Sequence, residues 1–388
     1  MPTYNELYTS VQADLRNKLV IKNIFGKVVL NVLAAVQAAK LKIYYLRIDF
    51  VYKNIFPDQA DPETKGGALD RFGFVKLGRY PFAATAGVYT VVVTGNIGAV
   101  IPPNTTFKSL DTSNSPDKLF VLDSTFTFIA ETGEIQIRSL DLGKQSELFE
   151  GDQVQVTQPL ANVESFAVVI IINTIPLESE STDEYRAKTI QAFRTEAQGG
   201  SKSDYKFEWS LDVQGVKAAY PYLNTSPSII DLYVEANPED STDGYGTPAQ
   251  SILDAVEEVV EFDPDITKPL GSRGRRPMGA FQINFLPVQV LPVDVVITNL
   301  SDVSFLAAIK TSMETFLLDI RPFIDGADDP NNSQKDLLYE NDVYGVVRGV
   351  LGSSAIFDSL IVNVDSNPIN IYEFTLGNIP YINTVTNV

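Results

Sequence analysis

The chain of 388 residues contains no cysteine and no histidine, one tryptophan and three methionines. Without cysteine there is no disulfide, no thiol nucleophile and no thiolate metal ligand. Without histidine the commonest general base and the usual zinc ligand are also gone. Carboxylate, lysine, serine and tyrosine chemistry would remain. Nothing in the order of residues assembles them into a catalytic group, so the expectation is a protein with no enzymatic activity and no cofactor. Long apolar runs are scarce too. Met1–Ser10 is polar and lacks the apolar core of a signal peptide. The most apolar window, Val28–Leu46, holds Asn31, Gln37, Lys40 and Lys42, which reads against a membrane span. The expectation is a soluble chain, made in a cytoplasm, with no membrane partner.

What is present is an ordinary globular composition, 44% apolar and 20% charged, with length for two or three domains. A net charge of −19 argues against a nucleic-acid surface across the whole chain. The charge is unevenly placed. Residues 1–56 carry eight Lys/Arg against three Asp/Glu, net +5, which leaves 22 basic and 46 acidic residues, net −24, in the remainder. Such a split reads as a basic arm lying on an acidic neighbour or on the chain's own body.

Within that arm the apolar residues Phe25, Val29, Val32, Val36, Ala39, Ile43, Leu46 and Phe50 fall at alternating steps of four and three. That is a heptad seam, held for about three and a half repeats. Lys40, Lys42, Arg47 and Lys53 lie off it. A helix packed on its own domain would show the same spacing; the sharper reading is a helix that bundles with other chains. The partner-binding residues expected from it are Phe25, Val29, Val32, Val36, Ile43, Leu46 and Phe50.

Pro57 and Pro62 end the helix, and the segment 57–84 reads as a hinge and connector with few apolar anchors, in which Gly66-Gly67 introduces a short turn packed by Leu69, Phe72 and Phe74. Residues 85–178 read as an antiparallel β domain. Phe126-Thr127-Phe128 and Ile135-Gln136-Ile137 alternate as half-buried strands do, while Phe166–Ile172 is continuously apolar and predicts a strand buried on both faces. Residues 179–286 predict an αββαβ unit. A helix opens at Ser181 with Glu184 as a capping box and stops at Gly199-Gly200. Strands follow at Val216–Tyr220 and Ile229–Glu235, then a helix with Thr247 as cap and Pro248 in its first turn, then a strand through Phe281, Ile283 and Phe285. Residues 287–388 predict a second unit of the same kind. It has a strand at Val290–Leu300 placed at a sheet edge by Pro287 and Pro292, helices from Asp302 to Ile320 and over Val343–Leu351, and closing strands at Ser359–Val364 and Ile371–Leu376. The fold class is therefore α+β: a helical arm (1–56), a β domain and two small two-layer modules.

Other clusters have plain readings. Arg273, Arg275 and Arg276 have the forks of an anion site but are expected to pair with carboxylates. Asp240, Asp243, Asp325, Asp328 and Asp329 lie in loops without calcium-loop spacing. GNIGAVIPP has no lysine and no following helix, so it is no phosphate loop. Trp209 is expected in a core.

Several stretches recur in a recognisable order: LDRFG (69–73), ATAGVYTVVVTGNIGAVIPPNTTF (84–107), STDEYR (181–186), then Gly199-Gly200, Asp204-Tyr205, Trp209 and Gly215-Val216. Together they span roughly half the chain and resemble the baseplate J-like family, wedge proteins of contractile phage tails and related injection systems. One departure is IPPNT, where the family more often has a glycine before the threonine. The resemblance implies a structural subunit of a tail baseplate, in the virion and assembled in the host cytoplasm. It implies partners of two kinds: other wedge subunits, bundled through the N-terminal helices near the hub, and further copies of the chain, as a homodimer within a wedge and in a ring that widens as the sheath contracts. The rival expectation is a carbohydrate-binding or depolymerising tail spike, which would call for long runs of repeated strands.

Overall fold

The computed structural model describes residues 1–18, 24–62, 66–194, 199–265, 268–328 and 335–388, and within 24–53 the side chains from Val28 onward. Phe25's side chain, Glu63 and Asp329 therefore lie outside the described residues. The chain divides into two compact units, Met1–Tyr80 with Thr182–Ile190, and Pro81–Ser181 with Gln191–Val388.

The first unit is helical: α1 (Tyr4–Lys18), α2 (Ile24–Lys53), α3 (Ala68–Leu77) and the greater part of α4 (Thr182–Arg194). A capping box starts α1. The Thr3 hydroxyl accepts from the Glu6 N–H at 3.3 Å and the Glu6 carboxylate accepts from the Thr3 N–H at 2.7 Å. Leu69, Phe72 and Phe74 belong to α3 rather than to a turn. The proline-rich stretch before it has anchors the sequence does not advertise. The Asp61 N–H donates to Asn54 at 2.6 Å, and the Arg186 guanidinium donates to the Pro57 carbonyl at 2.8 Å. Ala60, Leu69 and Tyr185 form a buried cluster. The ring of Tyr185 stands over Gly73 so closely that a Cβ there would lie 2.1 Å from its hydroxyl. That hydroxyl donates to the Arg79 carbonyl at 2.8 Å.

The second unit begins with a closed six-stranded barrel. Its strands are β1 (Val88–Gly95), β3 (Thr106–Ser109), β4 (Leu119–Leu122), β6 (Thr132–Ser139), β7 (Gln153–Val156) and β8 (Val163–Thr174), in the order β1-β6-β4-β3-β7-β8 with β8 returning to β1. A short ribbon, β2 (Val100–Ile101) with β5 (Phe126–Thr127), adds Ile101 and Phe126 to the barrel's core cluster. Alternation fills the interior: Tyr89, Val91 and Val93 of β1 meet Ile135 and Ile137 of β6. β8 obeys the same rule. Ala167 and Val169 point inward while Phe166 and Val168 are exposed, so this strand is not buried on both faces. A barrel strand has only one inner side. Asn104 takes φ +63°, a left-handed conformation that asparagine tolerates, and so keeps the turn that a glycine would otherwise serve.

Two α+β modules follow. In the first, β9 (Val216–Leu223) pairs antiparallel with β10 (Ile229–Ala236), and β10 pairs parallel with β11 (Gln282–Pro287) through the crossover helix α5 (Gln250–Glu261). Helix α5 begins two residues after Pro248. Thr247 serves Asp243 instead, donating both its hydroxyl and its N–H, and Pro248 bridges to Ser241. A single π-helical turn, Asp204–Trp209, lies against β9, with Trp209 in the core as expected. In the second module the sheet order is β15-β14-β12-β17: β12 (Gln289–Thr298), β14 (Ser359–Val364), β15 (Asn367–Ile369) and β17 (Asn378–Asn387). Helices α6 (Leu306–Leu317) and α7 (Glu340–Leu351) pack on it, and β13 (Leu337–Tyr339) pairs with β16 (Ile371–Glu373). The strand carrying Pro292 is interior, not an edge. The proline sits one residue before the β14 ladder begins at Val293↔Val364, where a missing N–H costs little.

Candidate partner interface

In the first unit α1 runs antiparallel to α2. The Gln12 amide donates to Asn31 at 2.7 Å, the Tyr4 hydroxyl to the Ala35 carbonyl at 3.5 Å, and the Lys42 ammonium to the Pro2 carbonyl at 3.0 Å. Leu30, Ala34 and Ala38 of α2 are buried in this contact with Leu7 of α1. They stand at i, i+4 and i+8, one stripe of a helix, and the two alanines allow close approach. At 100° per residue this stripe lies roughly opposite the heptad seam.

The seam itself is open. Val29, Val32, Val36, Ile43, Leu46 and Phe50 are all exposed, Val32 to 58% and Ile43 to 64%. A valine or isoleucine seam left in water forgoes about 1.5–3 kcal/mol per side chain relative to burial. Beyond Lys42 the other stripe is exposed as well: Tyr45, Ile48 and Tyr52 continue it. The sequence marks the seam but not this second open face, which depends on how far along α2 the contact with α1 reaches. By length and composition Val28–Lys53 would also suffice to cross a membrane.

The charged clusters that the sequence singles out have structural partners among the described residues. Arg276 makes a forked contact with Glu261, and Arg275 pairs with Asp263 at 3.2 Å while lying 5.6 Å over the Trp209 ring. Asp240 pairs with Lys144 at 3.2 Å, Asp328 with Lys206 at 2.5 Å, and Asp243 accepts from three backbone N–H groups. Among the described residues, no three acidic side chains converge to hold a metal ion. The motif residues of 199–216 are scaffold. Asp204 caps the turn through the N–H groups of Gly200 and Ser201, and Gly200, at φ +105°, lies where a Cβ would strike Pro277.

The deepest charge is Glu235, fully buried between the α+β modules. It accepts from the Tyr220 hydroxyl at 2.6 Å, from Lys217 at 2.9 Å and from Arg321 at 2.8 and 3.0 Å. Burial, then the neighbouring carboxylate, push the Tyr220 phenol well above its usual range. Beside it opens a cavity of about 220 Å³ lined by Tyr245, Leu317, Leu318, Arg321 and Tyr381. At the far end of the first module, Leu223, Phe262, Leu270, Met278 and Phe281 are exposed on neighbouring strand ends and loops.

No family model matches the sequence, and no curated protein matches it. Among solved structures, one in the cryo-EM structure of the anti-feeding prophage baseplate, six-fold symmetrised, is similar over 96% of this chain and 90% of that chain, at 8% identity and a TM-score of 0.39. At those values the likeness carries no inference about fold or activity.

Proposed function

We propose that the chain is a non-enzymatic structural subunit of a contractile tail baseplate, a wedge component built into the virion. The observation that carries this reading is the open seam of α2, with α1 packed on the opposite stripe. A helix so long and apolar, covered by its own chain on one side and over half its length, is a helix awaiting neighbours. The order of motifs from LDRFG to Gly215-Val216 supports the wedge assignment, since in this chain those residues build scaffold. In the assembly α2 joins a bundle with helices of other wedge subunits. The α+β modules, with their exposed apolar end at Phe281 and Met278, join copies of the chain into dimers and a ring that moves as the sheath contracts. Three unlike modules with helices interspersed give no support to a spike built of repeated strands.

The test is assembly. Val36→Glu with Ile43→Glu places unpaired charge on the seam, which costs several kcal/mol if the seam is buried against partners. The variant should stay folded and fail to co-elute with the partner subunits in size-exclusion chromatography. Assembly that survives the double substitution would refute the reading.

A further inference from the structure

The charges bordering the open seam specify its occupant. Helix α2 carries Lys27, Lys40, Lys42, Arg47 and Lys53 against a single acid, Asp49, and Asp49 is already paired with Lys53 at 3.0 Å. With Val29, Val36, Ile43 and Phe50 in one core row and Val32, Ala39 and Leu46 in the other, the residues flanking the core are Leu33, Lys40 and Arg47 on one side. On the other they are Val28, Ala35, Lys42 and Asp49. Lys40 and Arg47 are exposed. The flanking rows of a helical bundle are where partner choice is decided, because like charges brought together there repel and opposite charges attract.

A second copy of α2 fits this border poorly in either direction. Run parallel, Lys42 of one helix meets Arg47 of the other. Run antiparallel, the row of Lys40 and Arg47 meets itself. On the reading that α2 is an inter-chain bundle helix, we infer that the helix seated on its seam belongs to a different protein and carries acidic residues in its flanking rows. That occupant places carboxylates opposite Lys40 and Arg47 and apolar residues against Val36, Ile43 and Leu46. Copies of the chain then meet elsewhere, through the α+β modules.

Two synthetic helices of about four heptads test this, both with leucine in the core rows, one with glutamate and one with lysine in the flanking rows. The full chain should bind the glutamate helix at least roughly tenfold more tightly in low salt, and the preference should shrink as salt rises from about 50 to about 500 mM. Lys40→Glu with Arg47→Glu should reverse the preference. Val36→Glu with Ile43→Glu should abolish binding of both. Equal binding of the two helices leaves the seam an interface and overturns the charge selection alone. Binding of neither overturns the inference, as does efficient cross-linking of a Val36→Cys chain to itself. Flotation with vesicles of anionic phospholipid that depends on Lys40 and Arg47 would assign the basic border to a membrane and also overturn it.

Discussion

Glu235 joins residues that the sequence keeps far apart: Tyr220 and Lys217 are 15 and 18 positions away, Arg321 is 86. No local pattern announces such a group, whereas the density of Arg273, Arg275 and Arg276 in one short stretch announces carboxylate partners, and two of them find these in Asp263 and Glu261. Glu235→Ala would strand Arg321, and breaking a buried pair costs about 3–5 kcal/mol; urea unfolding should show a loss of that size. Asp243 offers a pH test. Burial would raise its pKa, but the Thr247 hydroxyl and the N–H groups of Tyr245, Thr247 and Gly246 outweigh burial and hold it below the ordinary carboxylate value. A lowered folded pKa gives stability that is full above the unfolded value, about 3.9, and lost as pH falls through the folded one. Asp243→Asn should therefore lower Tm at neutral pH, with the gap to the natural chain narrowing as pH falls below the unfolded value of about 3.9. At Gly73 a valine would meet the Tyr185 hydroxyl, and Gly73→Val should lower Tm without touching the barrel.

Strands and helices were legible wherever one period dominated. Ile135-Gln136-Ile137 and the helix over Val343–Leu351 stand where periodicity places them. Phe166–Ile172 misleads because its outward residues are as apolar as its inward ones, and only closure of the barrel tells them apart. Phe166→Ser should accordingly change stability by no more than about 0.5 kcal/mol, while Val169→Ala should cost about 2 kcal/mol; paired thermal melts decide it. The pattern Thr247-Pro248 misleads for another reason: Asp243 captures Thr247 first, and the helix starts later. The last strand, Asn378–Asn387, was missed because its ladder partner lies some 90 positions upstream, and its prolyl and asparaginyl residues read locally as loop. The seam of α2 was legible as a pattern; that it stays uncovered was not, since the spacing is the same whichever helix lies on it.

Taken whole, the second unit should melt its two α+β modules together. Tyr220, Val288, Ile324 and Ile379 form a small core drawn from both, and the Glu235–Arg321 contact ties the same boundary. Calorimetry should show a single transition for the two modules, separating into two when Glu235→Ala is combined with Ile379→Ala. The barrel relates to its surroundings differently. The segments that enter and leave it are tied at the root, with the Phe82 N–H on the Glu180 carboxylate at 3.1 Å, the Glu180 N–H on the Phe82 carbonyl at 3.0 Å and the Thr85 N–H on the Leu177 carbonyl at 2.9 Å. The chain thus leaves and re-enters at nearly one point, and everything from residue 86 to 176 is an excursion from it. Insertions with adjoining ends are exchanged readily, because the host chain feels only the closure of a short gap. Tension along the backbone would likewise cross from 82 to 180 through the tie and leave the barrel unstrained. Lineages could enlarge or swap that barrel while keeping the helices and the α+β modules, so long as a cation still meets Asp240 where Lys144 now does.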